Sequence, residues 1–213
     1  MKELIRAYKI VGYGMSIKKQ LAFAVGFAIL GLIFEIITRG GNIVGAFYII
    51  LSGMFIYQLI ISVDVSTLVQ SSPFKKKIQC TYPVLATTPF IYVTLAVLSV
   101  VHWIFAETGG PETASQQGQV MFVLGTLLFV VMVYFGCTYK FFVISMILMC
   151  VGISFSMGLL FHLAEIINMS FGVSVIYAFA MTTLGSLLAY VLSNALYKYP
   201  LDKLAFRGML KMN

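Results

Sequence analysis

The sequence predicts an all-α integral membrane protein: six transmembrane helices, an N-terminal amphipathic interfacial helix, and both termini in the cytoplasm. Three observations predict it. The 213 residues are 61% hydrophobic and only 10% charged, with a mean hydropathy of +1.00, whereas a soluble domain carries about 25% charged residues. The apolar residues form runs at approximately 20–38, 43–63, 82–105, 119–139, 141–161 and 171–197, each close to the ~20 helical residues that cross a bilayer core. Finally, 13 of the 14 Lys and Arg residues lie where a six-span path leaves the chain on one side, namely before the first run, at 75–77, at 140 and after 197. The positive-inside rule makes that side cytoplasmic. Only Arg39 lies on the other side. The net charge of +7 is thereby explained as topology signalling at the membrane, with no nucleic-acid partner implied.

Residues 1–19 place Leu4, Tyr8, Val11 and Met15 on one helical stripe with Lys2, Arg6 and Lys9 roughly opposite, the pattern of a helix lying at the acyl boundary above anionic head groups. The first run ends in Thr38-Arg39-Gly40 without an Ala-x-Ala cleavage site, so it is read as a retained span. Glu35 lies near its outer end. A carboxylate there either reaches interfacial water, touches a substrate, or pairs with Arg39 at an outer gate.

After the second run comes the polar, lysine-rich interval 64–81. Asp64 followed by Ser66, Thr67, Gln70, Ser71 and Ser72 suits a short exposed helix whose first N–H groups the Asp carboxylate caps, and Pro73 ends it. Lys75, Lys76 and Lys77 follow. The third run contains Pro83 and Pro89 beside Thr87 and Thr88, which predicts a bent helix whose freed carbonyls accept from the threonine hydroxyls. The interval AETGGPETASQQGQ is an external loop, and Cys137-Thr138-Tyr139-Lys140 a tight cytoplasmic turn. The fifth run turns polar at His162, Glu165 and Asn168 near its outer end, where either a broken, re-entrant excursion or a plain helix end fits. The small pairs Gly152/Ser156, Ser154/Gly158 and Gly185/Ala189 allow close helix approach, within the chain or across a dimer.

The chain reads as a single transmembrane domain, 1–213, with a cytoplasmic tail at 198–213. Several chemistries are excluded. There is no G-x-x-x-x-G-K-[ST] phosphate loop, no H-E-x-x-H, no Cys-x-x-Cys and no G-x-S-x-G. Cys80, Cys137 and Cys150 have neither a metal spacing nor a disulfide framework. No catalytic or metal site is expected, the chain is not read as an enzyme, and no carboxylate lies at the membrane midplane to couple an ion.

The segment Ser72-Pro73-Phe74-Lys75-Lys76-Lys77-Ile78, between an apolar helix and a further one opening on Tyr82 and Pro83, resembles the first cytoplasmic loop of type-2 ABC exporter permeases. That loop commonly reads leucine-proline-(valine or isoleucine)-serine, then arginine or lysine and isoleucine; here Ser72 replaces the leucine and Lys75 the serine. The overall plan is similar too. The resemblance implies a multi-pass permease of the cell membrane that pairs with a second permease subunit, identical or related, and docks a separate ABC ATPase holding ATP and Mg. This chain itself would bind no cofactor. It further implies that the short helix within 64–73 is the coupling helix of a coupling loop at 64–81, with Asp64, Ser66, Thr67, Gln70, Ser71 and Lys75–Lys77 facing the ATPase. Residues 1–19 become the connecting helix, and Glu35, His162 and Glu165 belong to the substrate path or outer gate. The lysines have three possible roles: topology, the anionic leaflet or the ATPase. Lack of midplane charge favours an amphipathic or hydrophobic cargo, peptide or lipid-like. The rival readings are the substrate-capturing membrane subunit of an energy-coupling-factor importer and a non-transport scaffold or immunity protein.

Overall fold

The computed structural model describes residues 2–13, 17–63, 69, 71–155, 158–159, 161–167, 169–200 and 202. Among them the regular structure is helical throughout. The helices are α1 (Lys2–Val11), α2 (Ile17–Thr38), α3 (Val44–Val63), α4 (Tyr82–Cys137, entered through a π turn at Lys77–Thr81), α5 (Phe142–Phe155), α6 (Phe161–Ile167) and α7 (Phe171–Ala195, leaving through a 3-10 turn at Leu196–Lys198). Four helical stretches, Ile17–Thr38, Val44–Val63, Lys77–Cys137 and Phe171–Lys198, are long and apolar enough to cross a membrane.

The third of these is too long to be one rod. Its 61 residues would extend about 90 Å at 1.5 Å per residue. The break is Gly110, at φ 82° and ψ −178° inside otherwise helical backbone. Only glycine adopts that conformation without strain, and Pro111 after it has no N–H to leave unsatisfied at the start of a new helix. Two contacts show that the arms, 82–109 and 111–137, run back along each other. His102 Nδ1 meets Gln117 Oε1 across the break, and at the opposite end Cys80 Sγ lies 4.0 Å from the Tyr139 hydroxyl. The interval expected to be an external loop, 106–119, is therefore helical apart from Gly110. Its Glu, Thr, Ala and Gln residues are compatible with helix, and Thr108 and Thr113 bond back to the carbonyls of Ile104 and Gly109.

The core lies between the two arms, α3 and α7, around Ile50, Ile91, Leu95, Met121, Leu124, Leu128 and Phe135. Close helix approach is set by small residues. A Cβ on Gly125 would lie 2.6 Å from Ala178 Cα, one on Gly136 2.9 Å from Ala189 Cα, and one on Gly185 3.1 Å from Phe129 Cα. The Gly185/Ala189 pair thus works inside the chain. So does Gly152, whose Cβ would meet Val130 at 3.0 Å, whereas Gly158 faces open space. Ser156 lies outside the described residues. The second seam joins α2 to α3 through Gly31 and Gly45, and α2 otherwise leaves Phe23, Val25, Ile29, Ile33, Ile36 and Ile37 exposed.

Two expectations are corrected. The N-terminal helix ends at Val11 and is not purely interfacial: Ala7 is fully buried with Ile60, Ile78, Tyr82 and Ala86, so its inner face packs on protein. In α4, non-helical backbone occurs at Gly110 and not at Pro83 or Pro89. Pro83 follows the π turn, whose wider ladder absorbs a missing donor. The Thr87 and Thr88 hydroxyls are buried without a hydrogen-bond partner, so they do not satisfy the carbonyls that proline frees. In the fifth apolar run α5 is described to Phe155 and α6 from Phe161, while residues 156, 157 and 160 lie outside the described part, so a broken excursion and a plain helix end both remain compatible with it.

Candidate functional site

The long-range contacts of charged side chains fall at the two ends of the bundle. At one end meet α1, the 69–77 segment, the 138–141 turn and residues 196–202; this is the basic end. The 39–42 turn, Gly110 and the start of α7 form the far end.

At the basic end the Ser72 carbonyl accepts from Lys75 N, and the Ser72 hydroxyl accepts from Phe74 N at 3.1 Å. Ser72 therefore caps the turn that opens the next helix, with Pro73 inside that turn. Phe74 is left 54% exposed at its tip. Immediately behind, Glu3 of α1 takes three donors: Tyr82 Oη at 2.9 Å on Oε2, Lys77 Nζ at 3.2 Å and Arg6 Nη1 at 3.3 Å on Oε1. The Tyr82 hydroxyl, then Lys77, hold the Glu3 carboxyl below the usual carboxylate range. Tyr8 Oη adds a bond of 3.1 Å to the Ala86 carbonyl. Between α1 and the turn runs a cleft of about 350 Å³ edged by Arg6, Lys9, Phe74 and Tyr82.

A second cavity, about 550 Å³, opens at the same end between Lys75, Gln79, Lys140, Lys198 and the tyrosines 197 and 199. Lys140 is only 5% exposed. Its ammonium donates to the Tyr199 carbonyl at 2.6 Å and the Tyr197 carbonyl at 3.4 Å, and lies 5.1 Å from the centre of the Tyr139 ring. Lys76 stands 5.8 Å from the centre of the Tyr197 ring.

At the far end Glu35 is fully buried and does not reach interfacial water, as the sequence reading allowed. Its ion-pair partner is His102, with Nε2 3.7 Å from Oε2, and not Arg39. Arg39 contributes its backbone carbonyl, which accepts from Gln117 Nε2 at 3.1 Å. That bond turns Gln117 Oε1 toward His102 Nδ1, which must therefore carry a hydrogen. His102 Nε2 and both Glu35 oxygens have no hydrogen bond. Gly40, at φ 62°, lies against this cluster; a Cβ there would be 2.8 Å from Gln117 Oε1 and His102 Cε1.

Of the residues assigned from sequence, Ser71, Lys76 and Lys77 are exposed at the basic end and Lys75 is half-buried there; Asp64, Ser66, Thr67 and Gln70 lie outside the described residues. His162 is exposed on α6, and the Glu165 side chain lies outside the described part. Glu3, Phe74, His102, Gln117 and Lys140 were not assigned a role from sequence. Glu3, His102, Gln117 and Lys140 each meet a partner tens of residues away in the chain, a contact that no local spacing signals. No metal cluster of three or more His, Cys, Asp or Glu occurs among the described residues. Comparison with protein-family models, with curated proteins and with solved structures finds no match for this chain.

Proposed function

We propose that this chain is the transmembrane subunit of an ATP-driven exporter of the type-2 ABC permease kind. In this reading it spans the cell membrane six times: α2, α3, the two arms of α4, the α5–α6 segment, and α7. The basic end faces the cytoplasm and both termini are cytoplasmic, a reading the lysine distribution supports. A separate ABC ATPase, carrying ATP and Mg, docks on the 64–77 segment, and a second permease subunit covers part of the exposed apolar surface. The cargo is amphipathic or hydrophobic, because the one buried carboxylate described, Glu35, is matched by His102.

The observation that carries the reading is the clamp on Glu3. It ties α1 to Lys77 and Tyr82 directly behind the Ser72–Phe74 turn, and from Lys77 the backbone is continuous helix to Gly109. A force applied at the turn therefore moves α1 and the first arm of α4 together. The second arm and α7 follow through their glycine–alanine seam. That is the mechanical requirement for rocking a bundle between inward and outward states.

Purification of the full-length chain from its own membranes tests this. The expected result is a bound subunit with a phosphate-loop ATPase, lost when Ser66–Ser72 is replaced by a Gly/Ser linker in a chain that still folds. Retention of the ATPase after that replacement contradicts the coupling assignment. Tight binding of a vitamin by the isolated chain supports the importer-type reading instead.

A further inference from the structure

We infer that the cavity at the basic end is a binding site for a membrane lipid whose head group combines a phosphodiester with free hydroxyls, as in phosphatidylglycerol. The inference needs this end of the bundle to lie at a bilayer surface; it does not need the chain to transport anything.

Two features of the cavity specify two parts of the ligand. The first is charge. Lys75, Lys140 and Lys198 come from three separate elements, the helical turn just ahead of the π turn, the 138–141 turn and the 3-10 turn that follows α7, and converge on one opening. Lys140 is already engaged by the carbonyls of Tyr197 and Tyr199 and fixes the floor. Lys75 and Lys198 have no carboxylate partner among the described residues. Asp202 is near but is used: its Oδ2 accepts from Phe142 N at 3.0 Å at the start of α5, and it does not line the cavity. Two cations without a carboxylate partner at one opening select an anion.

The second feature is an acceptor. Gln79 lines the same cavity, is only 2% exposed, and its Oε1 has no hydrogen-bond partner. A buried amide oxygen left unsatisfied is costly, and a simple anion cannot satisfy it, since an anion brings acceptors and no donor. A head group with hydroxyls can: its phosphate oxygens accept from the lysines while a hydroxyl donates to Gln79. The site also stands at the right level. Tyr197 and Tyr199 flank it where the apolar length of α7 ends, the position at which tyrosine marks the head-group region. The volume, about 550 Å³, suits a head group and excludes its acyl chains, which would lie along the exposed apolar faces of α5 and α7.

The test is native mass spectrometry of the detergent-solubilised full-length chain titrated with three lipids of equal chain length. Phosphatidylglycerol has the charge and the hydroxyls, phosphatidylethanol the charge alone, and phosphatidylcholine neither. Retention should fall in that order. The lysine step should be about fivefold per cation removed, so K75Q/K198Q should lower binding of both anionic lipids by about 10- to 30-fold. Gln79→Met should abolish the preference of about fivefold for phosphatidylglycerol over phosphatidylethanol and leave both above phosphatidylcholine. If Gln79→Met does not fold, the K75Q/K198Q arm decides, because Lys198 is exposed and Lys75 only half-buried. Equal retention of the three lipids, or unchanged binding by K75Q/K198Q, overturns the inference. So does equal competition by soluble glycerol phosphate, which would assign the site to a free metabolite.

Discussion

Alanine at Gly45 is the sharpest test of how the far end is built. A methyl group there would lie 2.7 Å from both the Gly31 carbonyl oxygen and the Glu35 backbone nitrogen, and 2.8 Å from Glu35 Cγ. Two of these atoms are backbone and cannot rotate away. Ordinary contact begins at 3.4 Å, so α2 and α3 must part by about 0.7 Å, a gap that forfeits a quarter to a half of each dispersion contact along the seam. Overpacking of this kind costs roughly 1–3 kcal/mol. The carboxylate of Glu35 is carried on the displaced helix, so the same substitution should also disturb its pairing with His102. Gly26→Ala is the control on the facing helix α2, because a Cβ there meets nothing within 4 Å. Reversible unfolding of the full chain by SDS in mixed micelles, followed by far-ultraviolet circular dichroism, measures both. Gly45→Ala should be the less stable variant by at least ~1 kcal/mol. Equal stability within ~0.5 kcal/mol would show that the seam is not as tight as described.

Further outcomes follow from the two ends. Glu35→Leu should destabilise the chain by about 1–3 kcal/mol by leaving the buried His102 ring without the polar group it faces, and Glu35→Leu/His102→Phe should recover part of that loss; strictly additive effects in the same unfolding assay would contradict the pairing. The Glu3 carboxyl is held low by Tyr82 and Lys77, so its contribution to the docking of α1 is complete above the ordinary carboxylate range and is lost as pH falls through the lowered value. A spin label at the exposed Ile5 should therefore stay immobile at neutral pH and loosen only in strong acid, whereas in Glu3→Gln it should be mobile throughout. Identical profiles for the two proteins would remove Glu3 from the clamp.

Hydropathy made most of the architecture legible. The runs at 20–38, 43–63 and 171–197 correspond closely to α2, α3 and α7 because a helix that must satisfy its own backbone polar groups writes its length directly into composition. The α4 hairpin was only half legible. Its apolar arms were placed, but the intervening polar residues read as a loop, since nothing in Glu107, Thr113 or Gln116 distinguishes a solvated helix from a turn. The break at Gly110 shows only as a Gly-Gly-Pro triplet. Burial of Glu35 was missed for another reason: the carboxylate is one turn from a helix end, where reaching water is the ordinary outcome, and only the fold brings His102 against it. The basic end was legible as charge and not as geometry. Lysine counting collected Lys75–Lys77, Lys140 and Lys198 on one side, yet only tertiary packing turns Lys75, Lys140 and Lys198 into one cavity and hands Lys77 to Glu3.

The central claim is that the turn ahead of Lys77 touches an ATP-hydrolysing partner, and a photo-crosslinking amino acid placed at Phe74 tests it most directly. Phe74 is exposed at the tip of that turn, and Ile176, also exposed on the apolar face of α7, serves as the reference position. Irradiation in native membranes should join position 74, but not position 176, to a water-soluble subunit that contains a phosphate loop. Adducts from position 74 to lipid alone, or to membrane-embedded proteins alone, would contradict the account.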